Sequence, residues 1–290
     1  MTADPVATEL TTADGYVLGG YRFAAQAPLK GRVVVAGATA VPQEFYRRFA
    51  QFAAARGFDV LTFDYRGIGR SRHGTLKGFR MDLLDWGRQD LAAAVDAMAD
   101  PQLPLFVVGH SQGGHAFGLT PNHARVAGFY VFGAGAGWHG YMPLGERLRV
   151  LAIWKVVLPV LTWWKGYCPW KLLGLGEDLP VDAYRQWRRW CQYPHYFFDD
   201  PAMRGIEQAY AAVRTPMVAA NALDDLWALP AARDAFVGAY CNAPLTRRNL
   251  DPSRVGGKIG HMGYFRTLAE PYWEEVLTWF VAQPGPLAQA

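Results

Sequence analysis

Two rhythms of apolar and polar positions alternate along this chain. From Thr8 to Phe23 the side chains alternate around Asp14-Gly15, which predicts a hairpin of two short strands with glycine supplying the turn. Gly31 to Ala36 is then a continuous β-branched run that stops at Gly37, the pattern of a strand buried on both faces. A helix is predicted next, with Phe45, Phe49, Phe52 and Ala53 on one face. The alternation repeats with a strand over Asp59–Phe63, a turn over residues 64–69, a helix over Met81–Asp100 and a strand over Leu105–Val108. Further strands are predicted at Val126–Phe132, Met217–Ala220 and Leu245–Leu250, and helices at Ala202–Val213, Pro230–Tyr240 and Pro271–Ala282. The βαβα order implies an α/β fold with a mostly parallel, doubly wound sheet.

One block breaks the rhythm. Residues 138–198 hold 7 of the 11 tryptophans, and 8 Lys/Arg against 4 Asp/Glu, so this block carries the whole net charge of +4 while the rest is balanced, 21 against 21. It reads as an insertion between two parts of one core, residues 1–137 and 199–290. Its greasiest stretch, Leu148–Trp164, is interrupted by Arg149, Lys155 and Pro159 and falls short of the about 20 apolar residues of a spanning helix. No stable membrane insertion is expected. A surface contact with anionic lipid through Arg147, Arg149, Lys155 and Lys165 is the weaker reading, because the polar face of this stretch is poorly separated from its apolar one.

Composition narrows the class. A 290-residue chain with 51% hydrophobic and 19% charged residues is that of a soluble globular protein. A charge of +4 without a Lys/Arg block argues against nucleic acid as a partner. Three widely spaced cysteines offer neither a disulfide framework nor a CxxC metal site, and Met1–Leu10 lacks the pattern of a secretory leader, so the expected location is the cytoplasm. The sequence leaves the oligomeric state open.

The chemistry lies in Gly109-His110-Ser111-Gln112-Gly113, a G-x-S-x-G directly after a buried strand. A serine on a sharp strand-to-helix turn exposes its hydroxyl above the sheet, and small neighbours permit the crowding. Serine is a poor nucleophile at neutral pH and needs a base, itself oriented by a carboxylate. Of seven histidines, only His261 lies in a loop between the last predicted strand and the last helix, where it can reach back over the sheet edge. The turn leaving the strand at Met217 ends in Asp224-Asp225, and either can supply the acid. Two N–H donors for an oxyanion are expected from the backbones of Gln112 and Ala38, with Thr39 as second choice. His110, Trp138, His139 and Trp227 are the candidates for substrate contacts. There is no P-loop, no HExxH and no dinucleotide fingerprint, and no metal or organic cofactor is implied.

In order along the chain, Gly37, Phe45-Tyr46-Arg47-Arg48-Phe49-Ala50, Phe63-Asp64-Tyr65-Arg66-Gly67-Ile68-Gly69-Arg70-Ser71, GHSQGG at 109–114 and Ile259-Gly260-His261 resemble the successive landmarks of the α/β-hydrolase superfamily. The resemblance covers most of the chain and is strongest to small bacterial hydrolases of undefined substrate. It implies an acid about nine residues after the proline opening its strand, hence Asp225 after Pro216, with Asp224 the alternative. It also implies that block 138–198 is a lid over an acyl or aromatic pocket. Ala36-Gly37 departs from the usual His-Gly, and Gly118 and Pro121 cut short the helix after the serine. The expected activity is that of a serine hydrolase cleaving a carboxylic ester or thioester with an apolar acyl group through an acyl-enzyme. The alternatives are an acyltransferase using the same acyl-enzyme and a non-catalytic scaffold on the same fold.

Overall fold

The computed structural model describes residues 4–283; residues 1–3, the first part of the stretch read for a secretory leader, lie outside them. The hairpin forms from β1 (Val6–Thr11) and β2 (Val17–Phe23), which pair antiparallel. The β-branched run is β3 (Gly31–Ala36), followed by a 3₁₀ turn and α1 (Arg47–Ala54). Next come β4 (Phe58–Phe63), α2 (Ala92–Met98), β5 (Leu105–His110), α3 (Gln112–Phe117) and β6 (Gly128–Phe132). The helices α4 (Leu144–Ala152), α5 (Leu158–Lys165) and α6 (Val181–Trp190) follow, then α7 (Ile206–Ala212), β7 (Met217–Ala222), α8 (Pro230–Val237), β8 (Leu245–Leu250) and α9 (Glu270–Val281).

Among the described residues eight strands form one sheet in the order β1-β2-β4-β3-β5-β6-β7-β8. β2 runs antiparallel to β4, and every later neighbour is parallel, in the α/β-hydrolase arrangement with inserted helices. The strand period of two sorts β3 between two cores. Val34 and Ala36 pack with Val107 and Trp86 on one side, and Val33 and Val35 with Phe106, Phe49 and Phe280 on the other. Burial on both faces is why β3, β5 and β6 read as unbroken apolar runs.

Two predicted helices begin later than their patterns. Instead of Met81–Asp100 the chain makes turns through residue 85, held by the Asp82 carboxylate accepting from Leu84 N–H, and then a π turn, Trp86–Leu91, leading into α2. Instead of Ala202–Val213 a 3₁₀ turn, Pro201–Met203, precedes α7, with Gly205 at φ +85° resetting the direction. Among the described residues no helix is long and apolar enough to cross a membrane.

Candidate active site

Ser111 follows directly on β5 and precedes α3, with φ +49° and ψ −102°, a conformation few non-glycine residues adopt. Ser111 N–H donates to Phe132 O at 2.8 Å, fastening the turn to β6. Gly113 makes the turn sterically possible, because a Cβ there would lie 2.2 Å from Ala36 O. Helix α3 can therefore press against the end of β3.

His261 arrives on the loop after β8. Its Nε2 lies 3.1 Å from Ser111 Oγ, and its Nδ1 lies 2.9 and 3.1 Å from the two oxygens of Asp225. A carboxylate only accepts, so Nδ1 carries the proton and Nε2 is left to take one from the serine. Asp225 is fully buried and also accepts from Tyr264 Oη at 2.7 Å and from the N–H groups of Trp227 and Ala228. Burial works to raise the Asp225 carboxyl, but the His261 ring beside it and these donors together hold it below the usual carboxylate range.

Asp224 has a different job: its two oxygens accept from Ile259 N–H and Gly260 N–H, both at 3.0 Å. It pins the backbone that presents His261.

The loop after β3 departs from expectation. Ala38 N–H, the first choice as oxyanion donor, already donates to Tyr46 Oη at 2.7 Å. Tyr46 Oη in turn meets His110 Nδ1 at 3.0 Å, and His110 Nε2 meets His261 O at 2.8 Å. A carbonyl only accepts, so Nε2 bears the proton, Nδ1 accepts from the Tyr46 hydroxyl, and every polar atom in the series is satisfied. Burial, helped by the nearby His261 ring, pushes the His110 pKa down to about 3, which keeps the ring neutral. Thr39 N–H and Gln112 N–H have no hydrogen-bond partner among the described residues.

Beside these groups opens a cavity of about 440 Å³, within the range of small-molecule sites, with Ser111, His261 and Thr39 on its wall. Trp154, Trp170, Trp187, Leu175 and Val41 supply apolar surface, and Trp227 joins them, its ring lying 6.1 Å from that of His261. Three expected contacts are elsewhere. His110 is buried behind the histidine loop, Trp138 packs on His139 and Tyr141, and His139 lines a separate cavity of about 240 Å³. His115, which the sequence does not single out, reaches the main cavity, held by Gly135 O at 2.9 Å and by Gln112. Nothing in the sequence marked it, or the Tyr46 and Tyr264 hydroxyls, since tyrosines on apolar faces read as core.

A family model described as Serine aminopeptidase, S33, matches residues 27–190, more than half of the chain. The chain belongs to this family. No curated protein matches this S33 chain by sequence. Among solved structures it is similar to a soluble variant of the monoglyceride lipase of Saccharomyces cerevisiae in complex with a substrate analogue (16% identity, 97% of this chain and 96% of that one, TM-score 0.71). It is also similar to a hypothetical protein of Pseudomonas aeruginosa (16%, 98% and 94%, 0.65) and to an esterase of Pyrococcus furiosus (14%, 97% and 93%, 0.59). At these identities the likeness is one of fold. Family membership and the Ser111–His261–Asp225 arrangement together make this S33 chain a serine hydrolase.

Proposed function

We propose that the protein cleaves a carboxylic ester or thioester with an apolar acyl group. The observation that carries this reading is a serine–histidine–aspartate series opening onto a cavity walled by tryptophans. In the proposed reaction Ser111 Oγ attacks the acyl carbon as its proton passes to His261 Nε2, and Asp225 holds the imidazolium that forms. The proton then goes to the departing alcohol or thiol, and water, deprotonated by the same ring, releases the acid from Ser111. The oxyanion is assigned to Gln112 N–H and Thr39 N–H, the two free donors, in place of the engaged Ala38.

Residues 138–198 act in this reading as the lid, since Trp154, Trp170 and Trp187 all come from that block. Cys168, Cys191 and Cys241 are free thiols, which suits a reducing cytoplasm.

The test needs no knowledge of the natural substrate. Incubation with a small fluorophosphonate followed by peptide mass spectrometry is expected to find one adduct, on Ser111. Ser111→Ala is expected to lose both the adduct and turnover of p-nitrophenyl esters while keeping its melting temperature. Undiminished turnover in that variant would refute the assignment.

A further inference from the structure

Leu144–Lys165 is a single unbroken helical rod, α4 and α5 joined through the π turn Ile153–Val157, about 33 Å long at the α-helical rise. Val150, Trp154, Leu158 and Thr162 form its buried face, and Trp154 reaches the cavity beside Ser111. On the outside lie Leu144, Leu148, Val156, Val160, Trp163 and Trp164, between 59 and 86% exposed. They are six of the eleven large hydrophobic side chains exposed among the described residues, so this is a patch and not scattered background.

The π turn explains why the stripe is hidden in the sequence. On an ideal α-helix a row of residues spaced by four drifts about 40° per step, which would wind Leu144, Leu148, Val156 and Val160 around the rod. A π turn wraps more residues into each turn and takes back much of that drift. Its position has a local cause: Pro159 has no N–H for the carbonyl of Lys155, and the helix widens immediately before it.

Charge selects the occupant. Lys155 and Lys165 have no ion-pair partner among the described residues, Lys165 Nζ lies 4.2 Å from the centre of the Trp164 ring, and block 138–198 carries the protein's whole net positive charge. A second copy paired on this stripe would set lysine against lysine. An anionic bilayer offers the opposite charge, an apolar layer for the leucines and valines, and the interfacial depth that tryptophan favours. We propose that the outer face of Leu144–Lys165 docks the protein reversibly on an anionic lipid surface.

The test is co-sedimentation of the whole protein with vesicles of phosphatidylcholine alone or mixed with phosphatidylglycerol. Binding is expected to rise several-fold with phosphatidylglycerol, to fall with added salt, and to drop about tenfold in a Trp163→Ser/Trp164→Ser variant. Lys155→Glu/Lys165→Glu is expected to remove the phosphatidylglycerol dependence, and both variants should retain fluorophosphonate labelling. Equal binding of wild type and both variants would overturn the proposal. So would a dimer in sedimentation velocity that the tryptophan substitutions dissociate, because the stripe would then belong to a second copy. The readout is independent of turnover, so it stands or falls apart from the assigned reaction.

Discussion

Tyr46 sits where three needs meet: its oxygen receives Ala38 N–H, its proton goes to His110, and its ring packs edge-on to Phe265 at 4.7 Å. Through it the loop after β3 and the loop bearing His261 are held to one another. Tyr46→Phe keeps the ring and leaves two buried groups unpartnered, so it should lower stability by about 2 kcal/mol in urea unfolding. Turnover should fall with it while the fold is kept; unaltered stability and turnover would show that water replaces the hydroxyl. His110 gives a pH signature. Its folded pKa of about 3 lies below the ordinary 6.5, so as pH falls through that window the unfolded chain takes up a proton that the fold refuses. Stability contributed by the neutral ring is therefore full above about 6.5 and lost toward pH 3, at about 1.4 kcal/mol per pH unit. Between pH 6.5 and 5, His110→Gln should lose about 2 kcal/mol less than wild type in paired unfolding curves. Equal losses would mean that His110 titrates normally in the fold. At this scale Ser111 and His261 are legible in the sequence because motif and position in the βα order coincide. The adjacent aspartates are not separable by type, as each is a carboxylate at the end of the same strand and only the direction of the chain decides which faces the imidazole.

Strands were more legible than helices, and the reason is burial. β3, β5 and β6 are covered on both faces, so their composition alone betrays them, whereas residues 81–85 and 202–205 carry helical spacing that local side-chain bonds and a glycine override. The strand–turn–helix at Ser111 is the element on which the chemistry rests, and its tolerance is set by Gly113. Gly113→Ala pushes a methyl group into Ala36 O and should cost more than about 3 kcal/mol or abolish soluble protein. Gly145→Ala, in α4 with nothing within 4 Å, should instead stabilise by about 0.5–1 kcal/mol. Thermal melts of the two variants check both, and similar shifts would show that α3 can retreat from β3.

For the molecule as a whole, the order of landmarks along the chain was enough to read the architecture, because a parallel sheet leaves few ways to connect them. How the tryptophan-rich block lies on the core was not legible: aromatic side chains pack against one another as readily as against a pocket, and composition does not distinguish the two. The structure fastens that block to the core at one telling place. Glu177 N–H donates to Ala40 O at 2.7 Å, so the segment after Trp170 is bonded to the same short loop that carries Thr39. Glu177→Pro removes the donor and should lower kcat/KM several-fold, while Glu177→Ala, which keeps it, should stay within about twofold. Equal kinetics in the two would show that the bond is dispensable. Because both atoms belong to the main chain, the tether does not depend on the Glu177 side chain, but it does depend on Gly176, whose φ is +144° and where a Cβ would lie 2.5 Å from Ala40 O. Exchange of the tryptophans on the cavity wall can therefore reshape what the cavity admits, while Gly176 keeps the block's grip on the loop beside Ser111.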